Sequence, residues 1–112
     1  MKLKAAMIQG GVFLSLALAI CAGPARADDA AANLFKTKCA SCHGPDGAGK
    51  TPAGTLMKVR DLRSDEVQKQ SDSDLVLVVT KGKNKMPAFG GKLQKEEIDQ
   101  LVAYVRGLAK SK

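Results

Sequence analysis

The stretch Cys39-Ala40-Ser41-Cys42-His43 decides what this chain can be. C-x-x-C-H is the attachment signature of a c-type haem, and it demands more than a bare C-x-x-C because the His must follow the second Cys directly. Two cysteines three apart on one helical turn each reach a haem vinyl carbon as a thioether, while the adjacent imidazole turns toward the iron. Cys39 and Cys42 are then tethers and His43 is the proximal ligand. Two other chemistries use similar residues. A thioredoxin-like redox pair needs the preceding strand of a βαβ unit, whereas a leader-like segment and a short helix precede this motif. A zinc site needs a fourth ligand, and without Cys21 the chain offers only Cys39, Cys42 and its single His.

Met1 to Ala27 reads as a cleaved secretory signal. Lys2 and Lys4 form its positive start, Val12 to Ile20 its apolar centre, and Ala25-Arg26-Ala27 the small-x-small site before Asp28. The uncharged run 5–25 also has the length of an uncleaved anchor, but Gln9, Gly10, Gly11, Gly23 and Pro24 interrupt its apolar character. Bulky Ile20 before Cys21 argues against a lipid-modified amino terminus. Residues 28–112 are therefore expected to form a single domain, soluble in the periplasm after cleavage. Export suits a c-type site, whose cysteines stay reduced until haem is attached.

A domain of that size is near the limit at which one core holds without a metal, a disulfide or comparable aid. The aromatic content of the whole chain is 4%, so a central haem would supply missing apolar surface. The full chain has a net charge of +7, reduced when Lys2, Lys4 and Arg26 leave with the leader and again by two haem propionates. That modest excess, without interleaved aromatic residues, excludes nucleic acid as the partner. It suits a surface that meets acidic patches on redox proteins.

Helical patterns fill most of the domain. The first helix is predicted from Ala30 to Cys39, with Asp28 and Asp29 at its start and Phe35 one turn before Cys39. Gly44 to Lys50 is a glycine-rich loop; it lacks the G-K-[ST] spacing of a phosphate site. A carbonyl of this loop is expected to accept the second ring N–H of His43. Thr51 to Leu62 reads as irregular chain with Leu56, Met57, Val59 and Leu62 turned to the cofactor, and Arg60 is the expected partner of a propionate. Ser64 caps a short helix to Lys69 with Val67 inward. Asp72 to Lys81 is predicted helical despite its β-branched Leu75-Val76-Leu77-Val78-Val79, because Ser71 to Asp74 offer caps and Gly82 a stop. Ile98, Leu101, Val102, Val105 and Leu108 recur at helical spacing in a last helix from Lys95 to Ala109, for which Gln94 is a poor cap.

A haem held by one His leaves a sixth position for Met57, Met86, a lysine or nothing. A thioether suits both oxidation states of iron and raises the reduction potential. Met86 is favoured because it lies in a loop between two helices, with Pro87 stiffening the backbone on one side of it and Gly82 permitting the departure from the helix before it. Met57 has core packing as its ordinary role.

The chain resembles the class I cytochromes c, in particular the short soluble bacterial and photosynthetic type. The resemblance runs from Ala31 to Ala109. It rests on Phe35 before C-x-x-C-H, Gly44-Pro45-Asp46-Gly47, Lys81-Gly82, Met86-Pro87-Ala88-Phe89, and Leu101 with Tyr104. It implies an all-α fold of three to five helices around one covalent haem c, with Cys39 and Cys42 as attachment points and His43 and Met86 on the iron. It also implies a crossing of the first and last helices at Phe35, Leu101 and Tyr104, where this chain has Ala31 in place of a frequent Gly. The implied function is a monomeric, periplasmic single-electron shuttle rather than an enzyme, with no organic substrate. Lys36, Lys38, Lys50, Lys83, Lys85 and Lys92 fall in segments the family places near the exposed haem edge, where they would steer acidic surfaces of membrane redox complexes or soluble oxidoreductases. The alternatives are a haem enzyme or small-ligand sensor with a labile sixth ligand, or an electron-transfer subunit of a larger respiratory complex.

Overall fold

Short polar side chains cap three of the six helices in the computed structural model, which describes residues 10–15 and 27–111. The predicted leader lies outside the described residues except for 10–15 and Ala27. Helix α1 (Ala27–Lys38) begins at Ala27 rather than Ala30, with Asp28 and Asp29 inside its first turn, where carboxylates meet unpaired N–H groups. Cys39 interrupts it, and the motif then forms its own turn, α2 (Ala40–His43).

A third helix, α3 (Pro52–Met57), replaces the irregular chain expected there. Thr51 caps it through its side chain, Pro52 occupies the first turn, and Lys58 ends it in the left-handed region with φ 53°. Thr-Pro is a strong start signal; the shortness of the helix and the glycine inside it hide the periodicity that would have supported it. Ser64 accepts the Val67 N–H at 3.4 Å to begin α4 (Asp65–Gln68), and Ser71 accepts the Asp74 N–H at 3.0 Å to begin α5 (Asp72–Lys81). The caps thus prevail over the strand propensity of the β-branched run. Helix α6 (Lys95–Leu108) starts at Gln94, whose weakness as a cap is offset by Glu97: its carboxylate accepts the Gln94 N–H at 2.7 Å. A 3₁₀ turn, Ala109–Ser111, closes the described chain.

Six α-helices therefore stand among the described residues, against an expected three to five, because α2 is separate from α1 and α3 takes the place of irregular chain. The fold is all-α. None of its described helices is long and apolar enough to cross a membrane. Helices α1 and α6 pack together, with Phe35 and Leu101 buried at 2% and 3% exposure. The Phe35 and Tyr104 rings lie 5.1 Å apart at 42°, a tilted aromatic pair, and Ala31 is buried one turn before Phe35.

Arg106 ties α6 to the junction of α4 and α5. Its guanidinium donates to the Gln68 carbonyl at 2.9 Å, to the Gln70 carbonyl, and to Asp72 Oδ1 at 3.0 Å. From the same junction, Gln68 Nε2 donates to the Leu62 carbonyl at 2.7 Å and to the Val105 carbonyl at 3.3 Å. Leu62, Val67, Gln70 and Val105, held at or beside this junction, also line the interior cavity.

Candidate haem site

The cavity measures about 340 Å³, within the usual range for a ligand pocket. Its walls are apolar and come from every helix: Phe35 from α1, Met57 from α3, Val67 from α4, Val78 and Val79 from α5, Leu101 and Val102 from α6. Cys39, Cys42, His43, Arg60 and Met86, separated by up to 47 positions in the chain, all line it. Cys39 and Cys42 are not joined in a disulfide. Burial, and then the neighbouring Cys42, push the Cys39 thiol up to about 11, so the unattached sulfur keeps its proton.

Burial also lowers the pKa of His43, which favours the neutral imidazole a metal requires. The expected hydrogen bond to its second nitrogen is not formed: Nδ1 is buried and has no partner among the described residues. The glycine loop instead bonds to the backbone of the motif, Gly49 N–H donating to the His43 carbonyl at 2.7 Å. Glycine at position 49 brings the loop so close to Val59 that no side chain fits between them, and the turn geometry sends its N–H, not a carbonyl, toward the histidine.

Met86 is carried by a strap between α5 and α6. Lys83 and Met86 exchange backbone hydrogen bonds at 3.2 and 3.0 Å, and Phe89 and Gly90 donate to the carbonyls of Val79 and Thr80 at 2.9 and 3.0 Å. The strap is thus sewn to the end of α5. Gly82 makes this turn with φ +75°, and a side chain there would meet the Met86 carbonyl at 2.5 Å. Phe89 is buried and lines the cavity, whereas Ala88 is exposed.

Of the four residues expected to face the cofactor, Met57, Val59 and Leu62 do so, but Leu56 is 78% exposed. A helix turn separates adjacent side chains by about 100°, and α3 spends its inward direction on Met57. Arg60 lies at the rim, 3.3 Å from Glu66 with both side chains more than half exposed. Arg63 is turned away to Asp61 at 3.0 Å. Lys38, Lys58, Lys83 and Lys85 share the rim with Arg60, and no carboxylate side chain lines the cavity among the described residues. Lys58 reaches the rim through its left-handed cap, a conformation that leaves no signal in the sequence. Lys36, Lys50 and Lys92 are exposed but off the rim.

Two thiols, one neutral imidazole and a soft thioether on an apolar wall fit a covalently held haem. Comparison with known proteins agrees. A family model described as cytochrome c oxidase, cbb3-type, subunit III matches residues 26–105. Cytochrome c6 of Nostoc sp. is 40% identical over 77% of this chain and 77% of its own, and cytochrome c6 of Anabaena variabilis is 39% identical over 71% of this chain and 90% of its own. The solved KustC0563 c-type cytochrome superposes with a TM-score of 0.65 at 34% identity, covering 70% of this chain and 95% of that one. The chain belongs to the class I cytochromes c, as a small all-α, cytochrome c6-like electron carrier with one covalently attached haem c.

Proposed function

We propose that this chain is a periplasmic shuttle carrying one electron at a time, in which Cys39 and Cys42 tether the haem, His43 and Met86 ligate its iron, and Arg60 meets a propionate. The observation that supports this reading is the convergence of both thiols, the single imidazole and Met86 on one apolar cavity. When bound, the haem supplies a one-electron Fe(III)/Fe(II) couple. The protein's own residues set the terms. His43 offers an uncharged ring nitrogen, Met86 offers a soft sulfur that favours the reduced state, and the apolar walls keep water from both. Arg60 stands at the rim as a cation whose partner, Glu66, is exposed and readily exchanged. Residues 1–27 direct export and are removed, and residues 28–112 form the working domain. The basic rim meets acidic docking surfaces on the donor and acceptor.

The test is attachment. A Cys39→Ala/Cys42→Ala double variant, exported with a haem-attachment system, is expected to lose covalent haem on a denaturing gel and to be poorly folded. His43→Ala is expected to lose the low-spin spectrum. Wild-type covalent haem in the double variant, or a wild-type spectrum and melt in His43→Ala, would sink the assignment.

The oxidase-subunit family model favours a second reading, an electron-transfer subunit within a larger complex. Native electrophoresis of periplasm and membranes with haem staining separates the two. A haem band at the mass of the free chain supports the shuttle; a band only in a large membrane complex supports the subunit.

A further inference from the structure

The last turn of a helix leaves its carbonyls without partners, and a helix of four residues is all last turn. In α2 every one of them is nevertheless taken. Ala40 accepts from Gly44 at 2.8 Å and His43 from Gly49 at 2.7 Å. The other two are served by one side chain: Thr51 Oγ1 donates to the Ser41 carbonyl at 2.8 Å and to the Cys42 carbonyl at 3.1 Å. Its single proton is shared between them, which leaves its lone pairs to accept. They accept the Gly54 N–H at 2.9 Å, the bond that starts α3. One hydroxyl thus closes the end of α2 and opens α3. The fit is tight, because a side chain at Gly54 would overlap the Cys42 carbonyl.

The bond matters because the His43 backbone is hydrogen-bonded on both sides, by its N–H to Cys39 and by its carbonyl to Gly49, while its ring is not. A ligating histidine is ordinarily oriented by a hydrogen bond to its second ring nitrogen, and here that nitrogen has no partner among the described residues. The direction of the imidazole is then set by the backbone that carries it. We infer that Thr51 is the positioning residue for His43, holding the two preceding carbonyls on α3 in place of a bond to the ring. The inference rests on His43 as the iron ligand.

Holoprotein variants test it. Thr51→Val keeps the shape and removes both bonding functions, and Thr51→Ser keeps the hydroxyl. In the oxidised wild type, the His43 ring protons are expected at hyperfine-shifted positions in proton NMR. In Thr51→Val these resonances and the midpoint potential are expected to move, and the Gly54 amide to exchange at least about fivefold faster. Thr51→Ser is expected to restore all three. Wild-type resonances and potential in Thr51→Val overturn the inference, as does a Thr51→Ser protein displaced as far as Thr51→Val. If Thr51→Val yields no holoprotein, Thr51→Ser decides alone: wild-type signals support the inference and displaced ones overturn it. Unshifted His43 protons in the wild type would instead defeat the ligand assignment and this inference with it.

Discussion

Met86 and Met57 both line the cavity, and both are half-buried, so position on the wall does not separate them. Their attachments do. Met57 ends α3, which is bonded through Thr51 to the helix that carries His43. Met86 sits in a strap bonded to α5. The strap is thus held independently of the helix that carries His43, whereas α3 is tied to it, and this is why Met86 is the proposed ligand. Met86→Ala is expected to keep its thioether-bound haem, to lower the reduction potential by removing a soft ligand, and to bind carbon monoxide. Met57→Ala is expected to keep the iron spectrum and to destabilise by about 1 to 2 kcal/mol, less than the 2 to 5 of a fully buried site. Proton NMR of the reduced protein reads the contest directly. Upfield methionine resonances that survive in Met86→Ala, or vanish in Met57→Ala with haem still bound, would reverse the assignment.

Between α4, α5 and α6 the decisive residue is Arg106, which from sequence suits only the negative end of a helix. Four acceptors converge on it instead: the Gln68 carbonyl and side-chain oxygen, the Gln70 carbonyl and the Asp72 carboxylate. Charged donors to buried carbonyls contribute about 1.5 to 3 kcal/mol each at most, so Arg106→Ala is expected to lower the unfolding free energy of the holoprotein by about 2 to 3 kcal/mol. Arg106→Lys should recover little, since an ammonium does not reproduce the fork. Asp72→Ala should lose less than about 1 kcal/mol, because its side chain is 76% exposed. Chemical denaturation followed by haem absorbance measures all three, and a harmless Arg106→Ala would show that the junction is held by packing alone. The bounds of α5 were legible because Ser71 and Gly82 mark them locally, and the placing of Met86 on the cavity wall was legible because Gly82 and Pro87 flank it. The α3 clamp and the Arg106 junction were not. Their partners, Ser41 and Cys42 for Thr51, Gln68 and Gln70 for Arg106, are backbone carbonyls, which carry no residue-specific signal. The bond expected at His43 Nδ1 failed for the related reason that a loop's composition does not say whether it turns N–H or C=O inward.

Across the whole molecule the apolar core is small, a cluster of Phe35, Leu101 and Leu108 joined by partly buried neighbours such as Tyr104 and Val105. The charge around that interior is one-sided. Four lysines and Arg60 ring the cavity, and no carboxylate side chain lines it among the described residues. A partner with an acidic face would therefore be drawn to the haem side, where electrons travel the shortest distance, and steering of this kind speeds encounter by roughly 10 to 1,000-fold at low salt. The Debye length shrinks from about 30 Å at 0.01 M to about 10 Å at 0.1 M, so the bimolecular rate of electron transfer to an acidic partner is expected to fall by roughly tenfold or more across that range. Lys85→Glu should lower the low-salt rate and flatten its salt dependence. Lys110→Glu, exposed in the closing 3₁₀ turn and off the rim, changes net charge without changing the rim and should leave most of the dependence intact. Stopped-flow reduction kinetics at graded salt measure both. A rate indifferent to salt would remove steering from the mechanism. Equal losses in the rim and the distant variants would assign it to net charge instead of to the lysines around the cavity.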